Sequence, residues 1–133
     1  MISVGLARRL RDAGLRWDPV PGDRFVVADR DMDDEVFTLS DMTVDVHKHA
    51  TGSVIGFNGT VEWALDSVEA QDTVWLPSET QLRERLGATF RRLSPGPAGW
   101  RVDLEVVGRA THTEHPDAAE AYGLALLRLI TGD

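Results

Sequence analysis

Cysteine is absent from this chain of 133 residues, and long apolar runs are absent as well. Without thiols the chain forms no disulfide, offers no thiolate nucleophile and builds no cysteine-ligated zinc or iron–sulfur site. No stretch approaches the roughly 20 consecutive apolar residues that span a bilayer. The first residues, MISVGLARRLRDAG, place arginines within their apolar pattern and differ from a signal peptide. We therefore expect a cytoplasmic protein without a membrane partner.

Catalytic and phosphate-binding motifs are also missing. The sequence contains no Gly-x-Ser-x-Gly nucleophile elbow and no glycine-rich phosphate loop that ends in Lys-Ser or Lys-Thr. The serines and threonines have local explanations as helix caps and strand residues. We expect no cofactor, and we interpret the chain as non-enzymatic.

Acidic side chains outnumber basic ones, and the charges are unevenly distributed along the chain. The net charge is -8, which disfavours binding to nucleic-acid backbones. Residues 29–46 contain seven acidic side chains against one arginine, a net charge of -6. Residues 83–109 contain six arginines against three acidic side chains. An acidic side and a basic side favour oriented association with a protein partner or with a second copy of the chain.

The composition is that of a globular protein, and the length fits a single domain, residues 1–133. Hydrophobic periodicity and turn residues predict an α+β fold, a mostly antiparallel sheet of about six strands with three helices packed on it. The predicted helices begin near residues 4, 78 and 116. The six predicted strands, in chain order, cover residues 24–28, 36–39, 42–47, 53–57, 60–65 and 100–106. Residues 89–93 have an extended pattern, and residues 109–114 are a candidate for a further strand.

Three local patterns support particular elements. Asn58-Gly59 between apolar runs predicts a β-hairpin with a type I′ turn. Ser78 and Gln81 predict a capping box at the start of the second helix. The alternation from Trp100 to Val106 predicts a strand with one buried face, preceded by a turn over residues 94–99.

The stretch DRDMDDE, residues 29–35, crowds five carboxylates into seven positions. It fails as an EF-hand loop because the positions for glycine and the final glutamate hold Asp34 and Ser40. In an extended chain, Asp29, Asp31 and Asp33 would share one face about 6.6 Å apart, which is too far for one small cation to bridge. We interpret the stretch as solvated, or as a partner-facing patch that includes Asp33, Asp34 and Glu35.

Histidine and tryptophan supply the remaining candidates. His47, together with Asp29, Asp31 and Asp33, forms the alternative of a small metal-dependent hydrolase. His115 is interpreted as marking a helix entry. The four tryptophans are interpreted as core anchors, but Trp17 and Trp75 lie near prolines at element boundaries and are candidate partner-binding residues.

Several segments resemble known proteins. The segments LARRLRDAGLRW, PGDRF, DRDMDDEVFTLSDMTV, GFNGTVEWALDSV, WLPSETQLRERL and EAYGLALLRLI resemble small actinobacterial proteins of unknown function, some of which carry a pilus-assembly label. Three of these segments, LARRLRDAGLRW, WLPSETQLRERL and EAYGLALLRLI, also resemble small phage-derived α/β sandwich proteins. Neither resemblance implies catalytic residues.

The function predicted from the sequence is thus an acidic protein-interaction module that binds a protein partner or itself as a homodimer. Two alternatives stay open: the metal-dependent hydrolase, and an acidic mimic of nucleic acid that occupies a basic partner.

Overall fold

The computed structural model describes residues 1–27, 36–39, 45–49, 52–56, 67–69 and 73–132. Backbone contacts divide the chain into two compact units. One comprises Met1–Arg16 and Pro77–Asp133, and the other comprises Trp17–Leu76.

In the described part of the chain, runs of consecutive strands separate three helices. The helices are α1 (Val4–Asp12), α2 (Glu79–Leu86) and α3 (Ala118–Thr131). The strands are β1 (Arg24–Val27), β2 (Phe37–Thr38), β3 (Asp45–His49), β4 (Gly52–Gly56), β5 (Ser67–Glu69), β6 (Thr73–Leu76), β7 (Phe90–Gly96), β8 (Gly99–Val106) and β9 (Arg109–His115). A single 3₁₀ turn, Gly87–Thr89, connects α2 to β7.

Every strand pairing among the described residues is antiparallel, and the strands form three-stranded sheets with the orders β2-β1-β6, β3-β4-β5 and β7-β8-β9. The predicted α+β class with three helices is confirmed. The predicted Asn58-Gly59 turn lies outside the described residues.

The unit of residues 17–76 contains the first two sheets. Trp17 stacks nearly parallel to Trp75, with ring centroids 6.5 Å apart, and also contacts Phe25 at 5.4 Å. The indole Nε1 of Trp17 donates to Asp23 Oδ2 across 2.8 Å. Asp23 is 4% exposed, so this charge-assisted bond is shielded from water.

The other unit packs its helices around one face of the β7-β8-β9 sheet. Helix α3 lies across β8 and β9 and also contacts α1 and α2. Val102 and Leu104 face α3 and are buried, whereas Arg101, Asp103 and Glu105 lie on the opposite face, as the alternation predicts. The capping box is confirmed: Ser78 and Gln81 exchange side-chain-to-backbone hydrogen bonds of 3.2 and 2.9 Å.

Two details around this sheet differ from the prediction. Strand β7 continues through Pro95 to Gly96, so the turn contains only residues 97–98. Proline is tolerated there because β7 is an edge strand and needs no outward N–H donor. Helix α3 is capped by Asp117, whose side chain accepts from Ala119 N, so Pro116 precedes the helix instead of starting it.

Candidate protein-interaction surface

Strand β9 forms one edge of its sheet and runs beside α3. A buried hydrogen bond links the two elements: Thr113 Oγ1 of β9 donates to the Ala121 carbonyl of α3 across 2.7 Å. The outer side of β9 faces away from β8, the one strand with which it pairs among the described residues. A helix face and a strand edge therefore run side by side at this surface.

Two neighbouring cavities follow this junction, and we call them together the β9–α3 groove. The first has a volume of about 370 Å³ and the second about 360 Å³. The first is lined by Arg9, His112, Thr113, Glu114, Leu124, Leu127, Arg128 and Thr131. The second is lined by Leu104, Val106, Arg109, Ala110, Thr111, Arg128, Leu129 and Gly132.

The groove carries a positive charge although the chain as a whole is acidic. Arg9, Arg109 and Arg128 line it, and all three are exposed. Glu114 is the one acidic residue in its lining, so the local net charge is +2 against -8 for the whole chain. An exposed surface with this sign inversion attracts carboxylates.

Arg128 holds the central position, since its side chain lines both cavities. Its Nη1 donates to the backbone carbonyl of His112 across 2.7 Å and to Thr111 Oγ1 across 3.0 Å. The guanidinium thus covers part of the β9 edge.

Apolar side chains complete the groove. Leu124 and Leu127 lie outside the buried stripe of α3, and Leu129 lies near the end of that stripe; all three are only partly buried. Leucines next to arginines give a surface that binds through both apolar contact and charge, which is typical of protein-binding sites.

The two predicted tryptophan anchors lie in the unit of residues 17–76 and contact one another. Trp75 is 7% exposed and Trp17 is half-buried, so the pair exposes little aromatic surface. Trp100 is the more accessible of the described tryptophans, 38% exposed. The prediction that Trp100 is a core anchor is wrong because the residue lies at the end of β8, at the margin of the buried face.

The acidic candidates Asp29, Asp31, Asp33, Asp34 and Glu35 lie outside the described residues. The backbone of His47 belongs to β3, where it pairs with Val54. Within the described ranges, no group of three or more His, Asp or Glu side chains is arranged to hold a metal ion.

His115 marks a helix entry, as predicted. Its Nδ1 accepts a hydrogen bond of 2.9 Å from the backbone N–H of Asp117, the N-cap of α3. His112 is exposed at the β9 edge, where its carbonyl binds Arg128.

In the described part of the chain, no helix combines the length and the apolar character that crossing a membrane requires. No family model, curated protein or solved structure matches the chain.

Proposed function

We propose that this chain is a non-enzymatic protein-interaction domain that binds a second copy of itself through the β9–α3 groove. Residues 29–36 of one copy, the part of the acidic stretch that precedes β2, occupy the groove of the other. A cytoplasmic location is part of the proposal.

Charge complementarity within the one sequence is the observation that carries the proposal. The groove has a net charge of +2, and residues 29–36 have a net charge of -4. Two copies repel each other as wholes because each carries -8. Association therefore depends on bringing the two complementary regions together, which restricts how the copies approach each other.

Apolar contact supplies affinity that charge alone does not. Exposed ion pairs each contribute only about 0–1 kcal/mol. Burial of the partly exposed Leu124, Leu127 and Leu129 adds about 25 cal/mol for each Å² of apolar surface removed from water.

The experiment is light scattering after size-exclusion chromatography at two salt concentrations. We expect a dimer at low ionic strength that dissociates as salt is added, because salt screens exposed charges beyond about 10 Å. If the repulsion between the two net charges were the dominant effect, salt would screen that repulsion and dimerisation would instead strengthen as salt is added. The sign of the salt dependence therefore separates the two explanations.

A matched pair of variants locates the interface. Arg9→Glu combined with Arg109→Glu reverses the groove without removing the contacts of Arg128. Arg16→Glu combined with Arg24→Glu changes the net charge by the same amount at two exposed positions outside the groove lining. We expect the first variant to be monomeric and the second to dimerise like the parent. A monomeric parent at micromolar concentration, or equal behaviour of both variants, contradicts the proposal.

A further inference from the structure

We propose that the occupying segment adds to the sheet as a fourth strand beside β9, and that Arg128 controls its entry. Arg128 covers the β9 edge in the free protein and transfers its guanidinium to a carboxylate of the arriving segment. The inference rests on the proposed function and specifies how the groove binds its occupant.

The register of the β8–β9 hairpin determines which backbone groups are available. The turn contains two residues, Val107 and Gly108, with φ of 50° and 77°, as in a type I′ turn. Val106 and Arg109, which flank the turn, therefore exchange both of their backbone hydrogen bonds. Because inward and outward groups alternate in an antiparallel pair, the N–H and C=O groups of Ala110, His112 and Glu114 point away from β8.

The contact of Arg128 agrees with this orientation. The carbonyl that accepts from its Nη1 belongs to His112, one of the three outward-facing residues. Two independent features, the turn geometry and the arginine contact, thus identify the same edge. Edge strands that present such groups are templates for pairing with another chain, and charged side chains commonly protect them.

The surroundings of the edge have room for a strand. A cavity of about 370 Å³ lies on one side of Arg128 and one of about 360 Å³ on the other. A paired strand lies about 4.8 Å from its neighbour and projects side chains alternately to its two faces. One face of the added strand covers the leucines of α3, and the ladder of backbone bonds fixes its register.

The acidic stretch has the spacing that this mode requires. Asp29, Asp31, Asp33 and Glu35 occupy every second position, so they share one face when the chain is extended. A guanidinium binds a carboxylate more strongly than a backbone carbonyl, because both partners are then charged. Arg128 therefore gains a better acceptor as it releases the His112 carbonyl to the new strand.

The experiment uses the full chain and a synthetic peptide with the sequence of residues 29–36. A second peptide, in which every Asp is replaced by Asn and Glu by Gln, is the control for charge. Nuclear magnetic resonance measures amide hydrogen exchange in the free and the peptide-saturated chain. The inward-facing amides of Thr111 and Thr113, already paired with β8, are the internal reference.

We expect the acidic peptide to slow exchange of the Ala110, His112 and Glu114 amides at least about tenfold, and the control peptide to leave them unchanged. Arg128→Met should weaken peptide binding roughly tenfold, as expected for the loss of a charge-assisted contact. Arg16→Met, a matched exposed arginine outside the groove lining, should bind like the parent.

Four results contradict the inference. A peptide that binds without slowing exchange of these amides overturns strand addition. A peptide that binds the Arg128→Met variant normally overturns the role of Arg128. Both results leave the interaction domain standing. A chain that dimerises but does not bind the peptide likewise overturns strand addition and leaves the interaction domain standing. A chain that neither dimerises nor binds the peptide overturns both proposals.

Discussion

The side chain of Leu6 occupies the space that a Cβ atom on Gly123 would need. A Cβ built on Gly123 would lie 2.5 Å from Leu6 Cδ2, well inside van der Waals contact. Leu6 belongs to α1 and is 4% exposed, and Gly123 lies in the middle of α3. Glycine at this position therefore permits the close approach of the two helices.

A double-mutant cycle tests this contact. Glycine in a helix interior costs about 0.5–1 kcal/mol relative to alanine, so Gly123→Ala would stabilise an isolated α3. In the protein the added methyl group meets Leu6, and overpacking costs about 1–3 kcal/mol. We expect Gly123→Ala to lower the free energy of unfolding by about 1 kcal/mol in urea denaturation.

In a chain that also carries Leu6→Ala, we expect the effect of Gly123→Ala on the free energy of unfolding to change sign. In a Leu6→Ala chain, itself destabilised by about 2–5 kcal/mol, the same glycine replacement has room and should stabilise by up to about 1 kcal/mol. Equal effects of Gly123→Ala in both backgrounds would show that the two side chains do not compete for space.

The β8–β9 turn holds a β-branched residue in an unfavourable conformation. Val107 has φ of 50° and is 97% exposed, so it combines backbone strain with minimal packing. The left-handed region costs an ordinary residue about 1–2 kcal/mol, and asparagine tolerates it better. Val107→Asn should therefore raise the free energy of unfolding by about 1 kcal/mol.

Val107→Thr is the matched control, because threonine keeps the β-branch and should leave stability nearly unchanged. Thermal and urea denaturation measure both variants. A Val107→Asn chain no more stable than the threonine variant would mean that the turn is relaxed.

Tyr122 gives the described part of the molecule an alkaline pH dependence. It is 4% exposed, its ring packs 5.8 Å from that of Phe90, and burial raises the pKa of its hydroxyl while nearby Arg83 opposes the rise. Because the folded pKa exceeds the unfolded one, the folded state holds this proton more tightly. The associated stability is complete below about pH 10 and is lost as pH rises through the folded pKa.

Tyrosinate absorbance measures this directly, since the chain has one tyrosine. We expect the folded chain to titrate above the urea-unfolded chain, and Tyr122→Phe to remove this contribution to the alkaline loss of stability. Coincident titration curves for the folded and unfolded chains would contradict the burial effect.

Much of the secondary structure was predictable because local signals in the sequence determine it. Ser78 and Gln81 satisfy each other's backbone groups within one turn, and the alternation from Val102 to Glu105 directly records which face is buried. The capping box and the strand alternation can both be recognised without information about distant parts of the chain. The α+β class follows from the order of such elements.

The groove was not predictable because it depends on which strand lies at a sheet edge. Leu124 and Leu127 fall outside the buried stripe of α3 and remain apolar, a sequence signal for a further contact surface. Arg128 looks like a residue that stabilises the last turn of a helix. Only the strand order reveals that it also covers the carbonyl of His112.

A charge-swap mixture tests the central claim, that the groove of one copy binds the acidic stretch of another. One variant carries Arg9→Glu and Arg109→Glu, which make the groove negative. The other carries Asp29→Lys, Asp31→Lys, Asp33→Lys and Asp34→Lys, which make the acidic stretch positive. Sedimentation equilibrium should show each variant monomeric alone, because like charges then face each other. Mixed at equal concentration they should dimerise, since both groove–stretch contacts regain opposite charges. A mixture that remains monomeric while the parent dimerises would contradict the account.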